Sequence, residues 1–77
     1  MRRKFTLPCR SDIEEAVREA ITRAYGIHPH EFPELVYEIL EERGFRTNRV
    51  SVKRIWSTYE RLVRKGVIVD VLNVVKG

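Results

Sequence analysis

Three stretches of the chain repeat apolar residues at intervals of three and four, the period of a helix that buries one face. Ile13, Ala16, Val17, Ala20, Ile21, Ala24 and Tyr25 form the first stripe, and Phe32, Leu35, Val36, Ile39 and Leu40 the second. Val52, Ile55, Trp56, Tyr59, Leu62 and Val63 form the third. The pattern predicts helices over residues 11–25, 32–43 and 50–65. Ser11 and Glu14 have the spacing of a capping box, in which the hydroxyl accepts an early backbone N–H and the carboxylate reaches back. Gly26 with Ile27, and Gly44 with Phe45, read as helix stops: a glycine in the left-handed conformation followed by an apolar contact. Pro29 and Pro33 stiffen the connection between the first two helices. Thr47, Asn48 and Ser51 are candidate caps for the third.

After Gly66 the period changes. Residues 67–75 are rich in Val and Ile and read as a C-terminal strand or short wing. Such a strand has three ways to pair: within a hairpin, with residues 5–7, or with its copy in a second chain. A bare apolar edge invites association, which favours some partner. Residues 1–10 combine a basic arm with Phe5, Thr6 and Leu7, a short strand that Pro8 ends. The 77 residues make one domain, mainly α with a short β element.

Charge separates along the chain. Residues 46–65 hold seven Lys or Arg and one acid, a net +6, whereas residues 12–43 hold nine acids and three Arg, a net −6. Solvated faces ordinarily mix signs; a one-sign stripe is the electrostatic footprint of nucleic-acid binding. On the third helix Lys53, Arg54, Ser57, Arg61, Arg64 and Lys65 lie opposite the apolar stripe, with Glu60 the one acid. The second helix is the acidic counterweight and is expected to face away from any polyanion.

Other chemistries find little support. No apolar run approaches the ~20 residues of a membrane span and no signal-peptide core follows the basic N-terminus, so a cytoplasmic protein is expected. Cys9 is the sole cysteine and cannot form an internal disulfide. Cys9, His28, His30 and Glu31 match no strong zinc spacing, so neither a metal nor another cofactor is expected. No phosphate-binding glycine loop or catalytic grouping is present, so an enzyme is not expected. Eleven Arg against four Lys suggests a thermophilic source.

Three amphipathic helices, the last one basic and running through Leu62, Val63, Gly66, Val67 and Ile68, resemble the winged helix-turn-helix DNA-binding superfamily over residues 11–72. Two departures stand out: the link between the second and third helices exceeds the usual three or four residues, and the wing is short, with Lys76 its one basic candidate. The resemblance implies a transcriptional regulator whose recognition helix enters the major groove of double-stranded DNA. Asn48, Arg49, Lys53, Arg54, Ser57 and Thr58 then lie nearest the bases, where Arg suits guanine and Asn suits adenine. Arg46, Arg61, Arg64 and Lys65 are expected on phosphates, and Arg2, Arg3 and Lys4 along the minor groove. Trp56 and Tyr59 fit the core stripe rather than a stacking platform. A homodimer through the C-terminal strand completes this reading. The alternatives are a protein-interaction module docking a basic partner on Glu34, Glu38, Glu41 and Glu42, or an RNA-binding protein.

Overall fold

The three apolar stripes become three helices. The computed structural model describes residues 7–24 and 26–75, with α1 over Arg10–Arg23, α2 over Phe32–Glu42 and α3 over Val52–Arg64. A short 3-10 turn, Pro29–Glu31, leads into α2. Each helix packs against the other two. Ile13, Ala16, Val17 and Ala20 of α1 are buried against Phe32, Val36, Ile39 and Leu40 of α2 and Ile55, Tyr59 and Leu62 of α3. The small Ala16 and Ala20 let neighbouring backbones come close. Val52, the first residue of the third stripe, is exposed, and Tyr25 lies outside the described residues.

An aromatic cluster joins α2 to α3. Phe32 lies 5.5 Å from Trp56 and 5.4 Å from Tyr59, centroid to centroid, and Trp56 and Tyr59 meet edge-on at 5.6 Å. These spacings are those of favourable ring pairs. Tyr59 is fully buried and Trp56 half-buried, as the helical period requires of core residues.

The helix ends follow local chemistry, with one correction. α1 starts at Arg10, and its cap is Cys9 rather than Ser11: the Cys9 N–H donates to Asp12 Oδ2 at 2.9 Å and its thiol to the same oxygen at 3.0 Å. These bonds hold the Asp12 carboxyl below its ordinary range, the thiol's first. Glu14 is unavailable for capping because Arg61 of α3 has recruited it. α1 ends at Arg23, before Gly26. At the end of α2, Gly44 (φ +87°) lets its N–H reach the Glu41 carbonyl and the Phe45 N–H reach that of Leu40. Gly66 (φ +76°) repeats the motif: its N–H donates to the Val63 carbonyl, and that of Val67 to Leu62. Both are the two-bond glycine stop that satisfies helix-end carbonyls.

The segment after Gly66 departs from expectation. No strand forms among the described residues, so the C-terminal strand or wing over 67–75 is absent there. Asp70 is the reason. Its Oδ1 accepts the Tyr59 hydroxyl at 2.6 Å and the Val74 N–H at 3.1 Å, while Oδ2 accepts the Val75 N–H at 2.8 Å. The Tyr59 oxygen in turn accepts the Leu72 N–H at 3.2 Å. The carboxylate gathers the chain into turns, with Asn73 at φ +57°, and folds it onto α3. Ile68, Leu72 and Val75 pack on the core, while Val67, Val69 and Val71 point to solvent. Pairing with residues 5–7 falls largely outside the described residues, because Phe5 and Thr6 are not among them.

Burial, reinforced by the Asp70 bond, pushes the Tyr59 hydroxyl up to about 12. Burial works against the Asp70 carboxylate, yet the Tyr59 hydroxyl and the backbone N–H groups outweigh it and hold Asp70 below its ordinary value. Tyr59→Phe leaves a carboxylate and an amide short of a partner and is expected to cost about 1–2 kcal/mol. Because folded Tyr59 keeps a proton that the unfolded chain loses above about pH 10, wild-type stability falls from there towards pH 12. The Asp70 contribution has the opposite dependence: it is full above about pH 4 and lost as pH falls through the lowered value. Denaturant unfolding across pH checks both, with the alkaline loss reduced in Tyr59→Phe.

Candidate nucleic-acid interface

The link over residues 43–51 delivers the chain from α2 to α3, and α2 holds it at two points. The Tyr37 hydroxyl donates to the Val50 carbonyl at 2.7 Å, and the Thr47 hydroxyl donates to Glu41 Oε2 at 2.9 Å. Between them the Val50 N–H closes a turn onto the Thr47 carbonyl at 3.0 Å, and the Val50 side chain is buried. Ser51 then caps α3, its hydroxyl oxygen accepting the Arg54 N–H at 3.0 Å. Of the three candidate caps, Ser51 fills the role.

Salt bridges divide the basic face into two halves. In the C-terminal half, Arg61 Nη2 donates to Glu14 Oε2 of α1 at 2.8 Å, and the two side chains retain only 27% and 29% of their exposure. The Arg61 bond, with charge from Arg61, Lys65 and Arg10, holds the Glu14 carboxyl below its ordinary range despite partial desolvation. Arg61 Nε is buried and has no hydrogen-bond partner among the described residues. Arg64 turns Nε and Nη2 onto Glu60 Oε2 at 3.0 and 2.8 Å. Arg61, expected on a phosphate, is thus a tie between α1 and α3, and Arg64 carries its own counterion.

The N-terminal half is different. Arg46, Arg49, Lys53 and Arg54 are all exposed, and none has a carboxylate within salt-bridge distance among the described residues. Residues 46–58 contain no acid at all. Asn48 and Ser57 are exposed among these cations and add neutral hydrogen-bonding groups. Lys65 is exposed at the other end of α3. Thr58 does not belong to this surface: it is buried, and its hydroxyl donates to the Arg54 carbonyl at 2.9 Å. Arg2, Arg3 and Lys4 lie outside the described residues.

Elsewhere three acids, Glu15, Glu19 and Glu42, are engaged by cations of the same molecule. Arg43 reaches Glu15 and Glu19 of α1 at 3.5 and 3.9 Å, and Arg23 bridges Glu19 and Glu42 at 3.2 and 3.6 Å. Glu34 and Glu38 remain exposed on α2 with no cation within salt-bridge distance among the described residues. His28 and His30 stack at 5.4 Å in the loop before α2. No group of three or more His, Cys, Asp or Glu among the described residues is placed to hold a metal, and no described helix is long and apolar enough to cross a membrane.

Tyr37 and Glu41, which hold the link, escaped the sequence reading. Tyr37 carried no local signal for a bond thirteen residues away, and Glu41 read only as part of an acidic face. No protein-family model, no curated protein and no solved structure matches the chain.

The two halves of the basic face separate in a stability assay. Arg61→Ala is expected to lower the thermal midpoint, since it removes the α1–α3 tie and its packed stem. Lys53→Ala and Arg54→Ala should leave the midpoint within about 3 °C. Glu14 has a lowered pKa, so its contribution is full above the ordinary carboxylate range and lost as pH falls through the lowered value. The gap between wild type and Arg61→Ala should therefore narrow on acidification below about pH 4 to what the packed stem contributes.

Proposed function

We propose that the protein binds double-stranded DNA through the N-terminal half of α3 and the link before it, and acts as a small helix-turn-helix transcriptional regulator. One observation carries the reading: four exposed cations, Arg46, Arg49, Lys53 and Arg54, without carboxylate partners among the described residues, on 13 consecutive residues that contain no acid. Unpaired cations are costly to concentrate unless a polyanion answers them, and the phosphate backbone supplies both attraction and counterion release. Asn48 and Ser57, set among the cations, are the groups suited to base edges, whereas Arg and Lys serve phosphates or guanine.

Duplex DNA is favoured over single-stranded RNA because Phe32, Trp56 and Tyr59 are occupied with one another rather than free to stack on unpaired bases. A winged-helix ancestry rests on the helix order and the Gly66 stop. Without a strand over 67–75, recognition falls to α3 and its link. The exposed carboxylates of Glu34 and Glu38 would be repelled by phosphates and would have to lie clear of the bound duplex.

A salt titration of binding to a mixed-sequence duplex tests this reading. With four cations as the main phosphate contacts, log K is expected to fall with log[salt] at a slope of about −4. Joint replacement of Arg46, Arg49, Lys53 and Arg54 by Ala should abolish binding while the fold persists. No duplex binding at low salt would overturn the reading and direct attention to a basic protein partner on Glu34 and Glu38. Preferential competition by single-stranded RNA would replace DNA with RNA.

A further inference from the structure

A link as long as 43–51 is ordinarily mobile, and ordering it on binding would subtract from affinity. This link is already ordered by bonds from the rigid body of α2. Glu41 accepts the Thr47 hydroxyl, Tyr37 donates to the Val50 carbonyl, and Val50 is itself buried. The Tyr37 bond sits at a decisive place. Val50 immediately precedes Ser51, the cap of α3, so one hydroxyl fixes both the end of the link and the start of the helix. Arg46, Asn48 and Arg49 on the link are thereby held in a set relation to Lys53, Arg54 and Ser57 on the helix.

The Tyr37 ring is half-buried among apolar neighbours, a role that Phe would fill equally well. Its hydroxyl has a separate use, since its acceptor is a backbone carbonyl of the link. We propose that Tyr37 is a positioning residue of the DNA interface: its hydroxyl keeps the link in the bound conformation before DNA arrives, so that the two groups of cations engage the duplex as one rigid surface. The proposal rests on the DNA-binding reading and adds to it. Tyr37 itself touches no DNA; it acts through Val50, with Glu41 and Thr47 securing the other end of the link.

The test compares wild type, Tyr37→Phe, Thr47→Val and Lys53→Ala in the same salt titration on a mixed-sequence duplex, well below each thermal midpoint. Amide exchange of residues 46–50 is followed by NMR in parallel. Tyr37→Phe should speed exchange in the link and weaken duplex binding about five- to tenfold with the salt slope unchanged, since every cation remains. Thr47→Val, which leaves the packing of α2 intact, should do the same to a smaller extent. Lys53→Ala should instead reduce the magnitude of the slope by about 1, the mark of a lost phosphate contact. Faster exchange with wild-type affinity in both Tyr37→Phe and Thr47→Val would overturn the positioning role while leaving DNA binding standing. A wild-type protein that fails to bind the duplex overturns the DNA reading, and the positioning role falls with it.

Discussion

The carboxylates of α1 determine which cations the molecule can offer to a partner. Glu14 takes Arg61 from α3, Glu15 takes Arg43 from the end of α2, and Glu19 is shared by Arg43 and Arg23. α1 is therefore the counterion rail of the fold as well as the helix whose small side chains admit the other two. Ion pairs at a surface stabilise little individually, but their distribution has a larger consequence here. Glu14 of α1 pairs Arg61 and Glu60 of α3 itself pairs Arg64, while among the described residues Lys53 and Arg54 at the beginning of α3 have no carboxylate within salt-bridge distance. Polarity along α3 thus comes from Glu14 of α1 together with Glu60 of α3 itself.

A second constraint acts on the other side of α3. Tyr59 is buried and must satisfy its hydroxyl, and Asp70 meets it. That bond converts a segment with strong β propensity into a loop fastened to the helix. The same carboxylate satisfies the amides of Val74 and Val75, so the segment trades a ladder it lacks a partner for against one local acceptor. Ile68, Leu72 and Val75 then pack on the core.

Much of the fold was legible because helical period and glycine stops are local signals. The stripes of α1 and α2 proved to be core, and Gly44 stops its helix with positive φ as the pattern required. The misreadings have a common source in contacts between distant residues. Ser11 and Glu14 had the spacing of a capping box, but Arg61, 47 residues away, claimed Glu14, and Cys9 with Asp12 capped the helix instead. The strand over 67–75 was inferred from Val and Ile, while the single Asp70 among them decided the conformation. In the candidate site, Lys53, Arg54 and Ser57 were legible as an exposed face. Thr58 was not, because its place on the buried side of the helix depends on how α3 is rotated against its neighbours.

The central claim is that residues 46–57 form the surface that meets DNA. Mapping backbone amide shifts by NMR on addition of a mixed-sequence duplex addresses it most directly. The account predicts shifts concentrated at Arg46, Asn48, Arg49, Lys53, Arg54 and Ser57, with Glu34 and Glu38 unmoved. Shifts centred on Glu34 and Glu38, or on the exposed Val67, Val69 and Val71, with residues 46–57 unchanged, would contradict it.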